Sequence, residues 1–411
     1  MRLPVRTPVI LAYVAFVLVG VGAGINGVLL VAQIDDYGVD RTTIGLTFFT
    51  GSAGFVVAGA TAGALLHRFG TRIALVVGAG AMVLAGLYAA THPPFAAYVV
   101  LQILVGYAGG VLESVLNAYL TTLPNATTLL NRLHAFFGVG ALVGPPLATW
   151  IVNAASWPVV WLVLALAFVP VLAGFLVAYP REDAAAAEPA APIADAAAGA
   201  AEREPSGPAA RSLLGTALRQ PGVLLGAGLL AVYVGLELGV GNWGYSYLTQ
   251  ARGQGDLLAG YSVSGYWLGL TLGRFLISPV ASRMGVTAVG LLFACLTGIA
   301  ASAAFIWAVP TAAAAGIGLV LLGFFLGPIF PTTMAVTPQL TSARLVPTAI
   351  GVMNAGSVVG GSALPWLAGA IAQGAGAWTL PPFAMTLAVL QVALWWPITQ
   401  QLRPRPVTEA T

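Results

Sequence analysis

Residues 109–146, GGVLESVLNAYLTTLPNATTLLNRLHAFFGVGALVGPP, decide how the chain is to be read. Two apolar stretches flank a short polar link, and the first carries a carboxylate, Glu113, with an amide, Asn117, four residues later. Side chains four apart stack on one face of a helix, so these two point the same way. The second stretch opens with Asn131 and His134. An ionisable group at the centre of a bilayer-spanning helix costs about 3 kcal/mol or more, so it is normally turned toward a water-filled or solute-filled cavity. The pattern predicts a membrane helix whose Glu113 face lines a pathway.

Composition agrees. Of 411 residues, 59% are hydrophobic and only 7% charged, against roughly 25% charged in a soluble domain. The mean hydropathy is +0.92. The 51 glycines and 27 prolines suit packed membrane helices, where small residues permit close approach and neighbours cover freed backbone groups. A lone cysteine, Cys295, excludes an intrachain disulfide. A net charge of +3 gives no sign of a nucleic-acid partner. No enzyme signature, cofactor motif or cluster with metal-ligand spacing is present, and His67 and His92 fall in loops.

A spanning helix needs about 20 apolar residues. Twelve candidates are found, at roughly 8–33, 42–66, 73–91, 95–122, 128–153, 157–179, 221–249, 257–280, 286–308, 311–336, 345–372 and 380–400. Residues 181–219 are polar, rich in Ala, Pro, Glu and Arg, and free of aromatics, which predicts a largely disordered cytoplasmic linker. The expected fold is an all-α integral membrane protein with twelve transmembrane helices in two pseudo-symmetric six-helix halves, 1–180 and 220–402, followed by a cytoplasmic tail, 403–411. All 16 basic residues are arginines. With the N-terminus in the cytoplasm, only Arg41 and Arg252 fall outside, as the positive-inside rule requires. Both termini are then cytoplasmic and the chain is multi-pass in the cell's inner (plasma) membrane.

The halves echo one another. His67-Arg68-Phe69-Gly70, between spans two and three, has a counterpart in Ser282-Arg283-Met284-Gly285, between spans eight and nine. Phe137-Gly-Val-Gly-Ala-Leu-Val-Gly-Pro in span five matches Asn354-Ala-Gly-Ser-Val-Val-Gly-Gly in span eleven. Parallel repeats of this kind place a substrate site between the halves, near the midplane.

The loop Gly63-Ala-Leu-Leu-His67-Arg68-Phe69-Gly70-Thr-Arg72 resembles the signature loop of the major facilitator superfamily, with histidine where aspartate is usual. The resemblance implies a gating role for His67, Arg68 and Arg72, with Arg283 in the second copy. Further pieces resemble the fucose permease-like sugar transporters: Leu112-Glu113-x3-Asn117, Leu130-Asn131-x2-His134-x2-Phe137-Gly138, Tyr233-Val-Gly-x-Glu237 with Trp243, Trp267-x-Gly269-x3-Gly273-Arg274, and Gly327-Pro328-x2-Pro331. That likeness implies a cavity role for Glu113. It also implies a proton-coupling acid in span one, where this chain has Asn26-Gly27.

Glu113 and Glu237 are the only acids inside the expected spans, and no arginine is expected near either at midplane depth. The alternative for each is a structural hydrogen-bond partner. Tyr233, Gly241 and Gly244 share a face with Glu237, suited either to a polyol or to a neighbouring helix. Trp243 and Trp267 suit stacking on a sugar ring or the interfacial belt. Asn26, Asn117 and Asn354 offer neutral donors and acceptors to hydroxyl groups. Glu237, Glu113 and His134 are the groups able to carry a coupling proton. Arg274 is expected near the inner end of its span, closing a gate. Pro145-Pro146 and Pro328/Pro331 mark expected helix breaks.

The expected function is secondary active transport of a small polyhydroxy solute, foremost a sugar, by alternating access with proton or sodium coupling. The expected protein is monomeric, with lipid and solute as partners and no cofactor. Efflux of an amphipathic drug is the alternative, and a non-transporting sensor a more distant one. Single cysteines at Ser206 and Thr408 in a Cys295→Ala background should react with impermeant thiol reagents from the cytoplasmic side alone, and one at Gly255 from outside. Labelling of Ser206 and Gly255 from the same side would break the twelve-span count.

Overall fold

In the computed structural model, residues 6–179 and 208–402 are described. They form fourteen α-helices: α1 Arg6–Tyr37, α2 Arg41–Ile44, α3 Leu46–Ala90, α4 Phe95–Thr121, α5 Ala126–Ala154, α6 Trp157–Ala178, α7 Pro208–Ala217, α8 Pro221–Ser246, α9 Asp256–Arg283, α10 Ala288–Ala308, α11 Ala312–Leu326, α12 Ile329–Leu340, α13 Val346–Ala375 and α14 Leu380–Leu402. The expected linker and tail fall mostly outside the described residues. The linker's last part differs from expectation, because 208–217 is helical, ends on the fully buried Ala217 and packs against α13.

Ten stretches among the described residues are long and apolar enough to cross a bilayer. One of them, Arg41–Ala90, has 50 residues, roughly 75 Å of helix at 1.5 Å per residue, more than twice a hydrocarbon core of about 30 Å. Gly70 divides it: φ is +77° there, a backbone conformation that only glycine takes without strain. Gly285, at the matching place in the second half, has φ +70°. With that division, and with the less apolar α9, twelve crossings result. The break expected at Pro328 is real, since α11 ends at Leu326 and α12 begins at Ile329. At Pro145-Pro146 the expectation fails: α5 runs through both prolines unbroken.

Lipid supplies no hydrophobic drive between apolar helices, so close van der Waals packing must join them. Glycine provides it, in the same pattern twice. In the first half α1 packs on α5, the first part of α3 on α4, and its second part on α6. In the second half α8 packs on α13, α9 on α11, and α10 on α14. A Cβ at Gly140 would sit 1.9 Å from the backbone oxygen of Val17, and one at Gly54 1.9 Å from that of Ile103. Their counterparts Gly360 and Gly273 would meet Ala231 O and Phe324 O, each at 1.9 Å.

Between the halves, Gly27 of α1 lies against the Gly241 carbonyl of α8. The α5–α9 seam is closed along much of its length. Gly138 abuts Thr271, the Ser264 hydroxyl donates to Leu142 O, and Gly260 abuts Thr149. Its pseudo-symmetric partner, α3 with α13, is joined where Gly45 meets Trp366 and the Trp366 indole N–H donates to Thr42 O at 3.1 Å. Farther along, Val56 and Val359 stand 53% and 65% exposed.

The end so joined carries Arg41 and Arg252. Arg41 reaches across to the second half: its guanidinium donates to Ala372 O of α13 at 3.0 Å and to Gln250 Oε1 just after α8, and its backbone N–H to Gln373 Oε1 of α13 at 3.1 Å. The connections at 38–40, 91–94 and 155–156 of the first half gather at the same end, with Asp36 accepting from Trp157 and pairing with His92. At the opposite end lie Arg68, Arg72 and Arg283, and Tyr179 ties α6 to Pro8 O of α1.

Gly269→Ala, whose Cβ would sit 2.1 Å from Val320 O, should lower the thermal midpoint of the purified protein, by about 1–3 kcal/mol of overpacking. Gly59→Ala, with nothing within 4 Å, should leave it unchanged or raise it, because alanine favours helix.

Candidate functional site

The charged centre is built from α5, α8 and α9, at the junction of the two halves. Glu237 sits past the middle of α8, one turn beyond Tyr233. Arg274 comes from α9, and its Nη2 donates to both oxygens of Glu237, at 3.1 and 3.3 Å, and to the Tyr233 hydroxyl at 3.3 Å. Tyr266 donates its hydroxyl to the backbone carbonyl of Glu237 at 2.8 Å, fixing α9 against α8 at that level. Phe330 of α12 covers the Tyr233 ring at 6.1 Å between centroids.

This arrangement corrects two expectations. An arginine does stand beside a membrane glutamate, and Arg274 is part of the centre rather than an isolated gate residue. The pairing was within reach of a helix count. With the π turn Tyr247–Ala251 that extends α8, Glu237 lies 14 residues before Ala251 and Arg274 18 residues after Asp256, the first residue of α9. The long arginine side chain covers the difference, about 6 Å at 1.5 Å per residue. The Glu237 side chain is 13% accessible, whereas that of Arg274 is 37% accessible. So exposed a cation between packed helices faces open space.

That space is a cleft of about 340 Å³, counting its open mouth, lined by His134, Phe137, Gly138 and Ala141 of α5 and by Trp267, Leu270, Thr271, Arg274 and Phe275 of α9. Trp267, Thr271 and Arg274 lie at i, i+4 and i+7 and so share a face. Trp267 is 5% exposed, and its indole N–H is buried without a hydrogen-bond partner. A buried donor in that state costs about 1–3 kcal/mol. His134 is exposed toward the cleft, its ring edge-on to Phe16. The glycines beside Glu237 seat helices: Gly241 receives the Trp267 ring, and its carbonyl faces Gly27.

Other expected site residues lie elsewhere. Trp243 does not face the cleft; its N–H donates to Pro365 O at 2.8 Å and its ring packs on Gly369 and Phe48, joining α8 to α13. Glu113 is half-buried on α4, and Asn117 is 3% exposed with its Oδ1 unpartnered. Asn26 is exposed on α1, beside the Gly27 contact, and Asn354 is half-buried on α13. His67 and Arg68 are exposed around the Gly70 break, with Arg68 over the Phe69 ring at 5.3 Å. Arg72 follows the break, and Arg283 ends α9 beside Gly285.

Two six-helix halves closing on a charged central cleft define a multi-pass membrane transporter. The chain belongs to the Major Facilitator Superfamily, whose profile matches residues 12–311. A yeast protein, Bypass of stop codon protein 6 of Saccharomyces cerevisiae, is 25% identical, the match covering 95% of this chain and 82% of that one. Major facilitator superfamily domain-containing protein 4A of Xenopus tropicalis is 29% identical over 153 residues, 37% of this chain and 30% of its own. Among solved structures, the nucleoside transporter NupG superposes with a TM-score of 0.75 at 13% identity, covering 96% of this chain and 99% of that one. A D-xylose-proton symporter gives 0.70 at 12% identity, covering 94% and 97%. At such identities the likeness is one of fold.

Removing one partner of the Arg274–Glu237 pair leaves a charge uncompensated. Arg274→Gln and Glu237→Gln should each lower the thermal midpoint, by about 1–2 kcal/mol given the solvent reaching the guanidinium. The double variant should recover part of the loss. Strict additivity of the two single effects would show that the pair contributes nothing.

Proposed function

We propose that the protein moves a small polyhydroxy solute across the membrane by alternating access, with the solute bound in the cleft between α5 and α9 and a proton carried on Glu237. The observation that carries this reading is the Arg274–Glu237–Tyr233 cluster, open on one side to the cleft and placed where the two halves meet. Trp267 and His134 complete the wall beside it. Glu113, Asn117, Asn26 and Asn354 are assigned to the solute pathway on the remaining helices, while Trp243 is assigned to packing. A D-xylose-proton symporter and a nucleoside transporter share the fold, and both names denote polyhydroxy cargo. The arginine-rich end is cytoplasmic in this reading, following the charge asymmetry. The end clasped by Arg41 is then the outer one, and the structure is closed to the outside.

Coupling on Glu237 gives a distinct expectation. Span one offers only Asn26, which does not titrate, so Glu237→Gln should abolish uphill accumulation in proteoliposomes. Exchange of internal for external solute needs no net proton movement and should persist. Accumulation by the variant at the wild-type level would overturn the assignment. Glu113→Gln and Asn117→Ala should lose at least tenfold in solute affinity by calorimetry while the melting midpoint holds. Unchanged affinity in both would move that pair to structure.

A further inference from the structure

We propose that the solute carries a carboxylate, and that this carboxylate takes the place of Glu237 on Arg274 when Glu237 receives its proton. The inference rests on the polyhydroxy-solute reading and narrows it to acidic members of that class, such as uronates and aldonates.

Two observations converge. First, every hydrogen bond found for Arg274 leaves from Nη2, which is shared among Glu237 Oε1, Glu237 Oε2 and the Tyr233 hydroxyl. A guanidinium offers a planar fork that matches a carboxylate through two nitrogens. Here one nitrogen serves both oxygens, and among the described residues no acceptor takes the Nε or Nη1 hydrogens. The pair is made through a single nitrogen, which leaves the two-nitrogen fork free. Second, the unused side of Arg274 opens on the cleft, where the side chain is 37% accessible. A separate donor in the same wall, the buried indole N–H of Trp267, is without a partner. It is enclosed in this state, its ring edge against Gly241, and the Thr271 hydroxyl is bonded to Trp267 O, so the donors open to a ligand are those of Arg274. A neutral hydroxyl or carbonyl can accept from one of its nitrogens, as the acceptors of Arg41 do; a carboxylate meets two of them at once and also balances the charge.

The charges around Glu237 make the exchange self-contained. Tyr233 on α8, Tyr266 and Arg274 on α9 and His134 on α5 are the titratable or charged groups facing this centre. The facing stretches of α11, α12, α13 and α14 carry no Asp, Glu, His or Arg, and α1 carries them only near its ends. A carboxylate entering beside Arg274 with Glu237 still ionised would set two anions on one cation. Protonating Glu237 removes that repulsion. One proton from solvent is therefore bound for each carboxylate that docks, and the charge of the centre is the same before and after.

Purified full-length protein would be titrated by calorimetry with D-glucuronate, D-galacturonate and D-gluconate, with D-glucuronamide as the uncharged match, and with D-glucose and D-xylose. Each titration would be made in two buffers of different ionisation enthalpy. At least one acid should bind at least tenfold more tightly than the amide and the neutral sugars, with uptake of close to one proton per ligand. Arg274→Lys keeps the charge but not the fork and should cut the preference for acid over amide severalfold. Glu237→Gln should keep that preference and lose the proton uptake. Melting curves of both variants check that they are folded. Neutral sugars binding as well as the acids, or proton uptake near zero for the wild type, would overturn the carboxylate while leaving the polyhydroxy reading intact. Binding of none of these compounds would overturn both.

Discussion

Backbone groups inside a bilayer find no water, so every span here is helical, and the helices must hold together without the hydrophobic effect that would join them in water. What remains is contact at short range. Gly140 on Val17, Gly54 on Ile103, Gly273 on Phe324 and Gly360 on Ala231 bring backbone against backbone at distances no larger side chain would allow. These four contacts set the pairs α1–α5, α3–α4, α9–α11 and α8–α13. Everything else is placed by them. The repeat of the fold is thus a repeat of packing, and it is more regular in the contacts than in the residues that make them.

The centre depends on the same contacts. Gly269 and Gly273 hold α9 against α11, and Gly327, whose Cβ would meet Arg274 N at 2.4 Å, brings the α11–α12 break against the backbone of Arg274 itself. The guanidinium is aimed by packing before it is held by charge. On the facing wall, Gly138 abuts Thr271, so the helix that supplies His134 touches α9 within the lining of the cleft itself. A helix that changed tilt would carry Arg274 away from Glu237 and alter the cleft in one motion.

Much of this was legible from residues alone. Apolar runs and the short motifs within them were enough for an all-helical membrane fold of the Major Facilitator kind, and Glu237 stood out as an acid in the wrong solvent. Sequence reading failed where the answer depends on rotation and depth. Arg274 looked like an inner-gate residue because it lies six residues from the end of its expected span, yet its long side chain reaches back to Glu237 on α8. Trp243 and Trp267 looked equivalent, yet one uses its N–H on Pro365 O and the other leaves it empty. Nothing in the local sequence distinguishes two tryptophans whose difference lies in which neighbour reaches them. Pro145-Pro146 looked like a break, but α5 absorbs both residues without interruption.

Arg41 is the cation that joins the two halves at the arginine-poor end, and its acceptors are the carbonyl of Ala372 and the side-chain amides of Gln250 and Gln373. None of those oxygens gains or loses a proton in any ordinary medium. The clasp's own acceptors are therefore deaf to acidity, and a change of pH in the bathing fluid reaches Arg41 only through neighbouring charge such as that of Asp35.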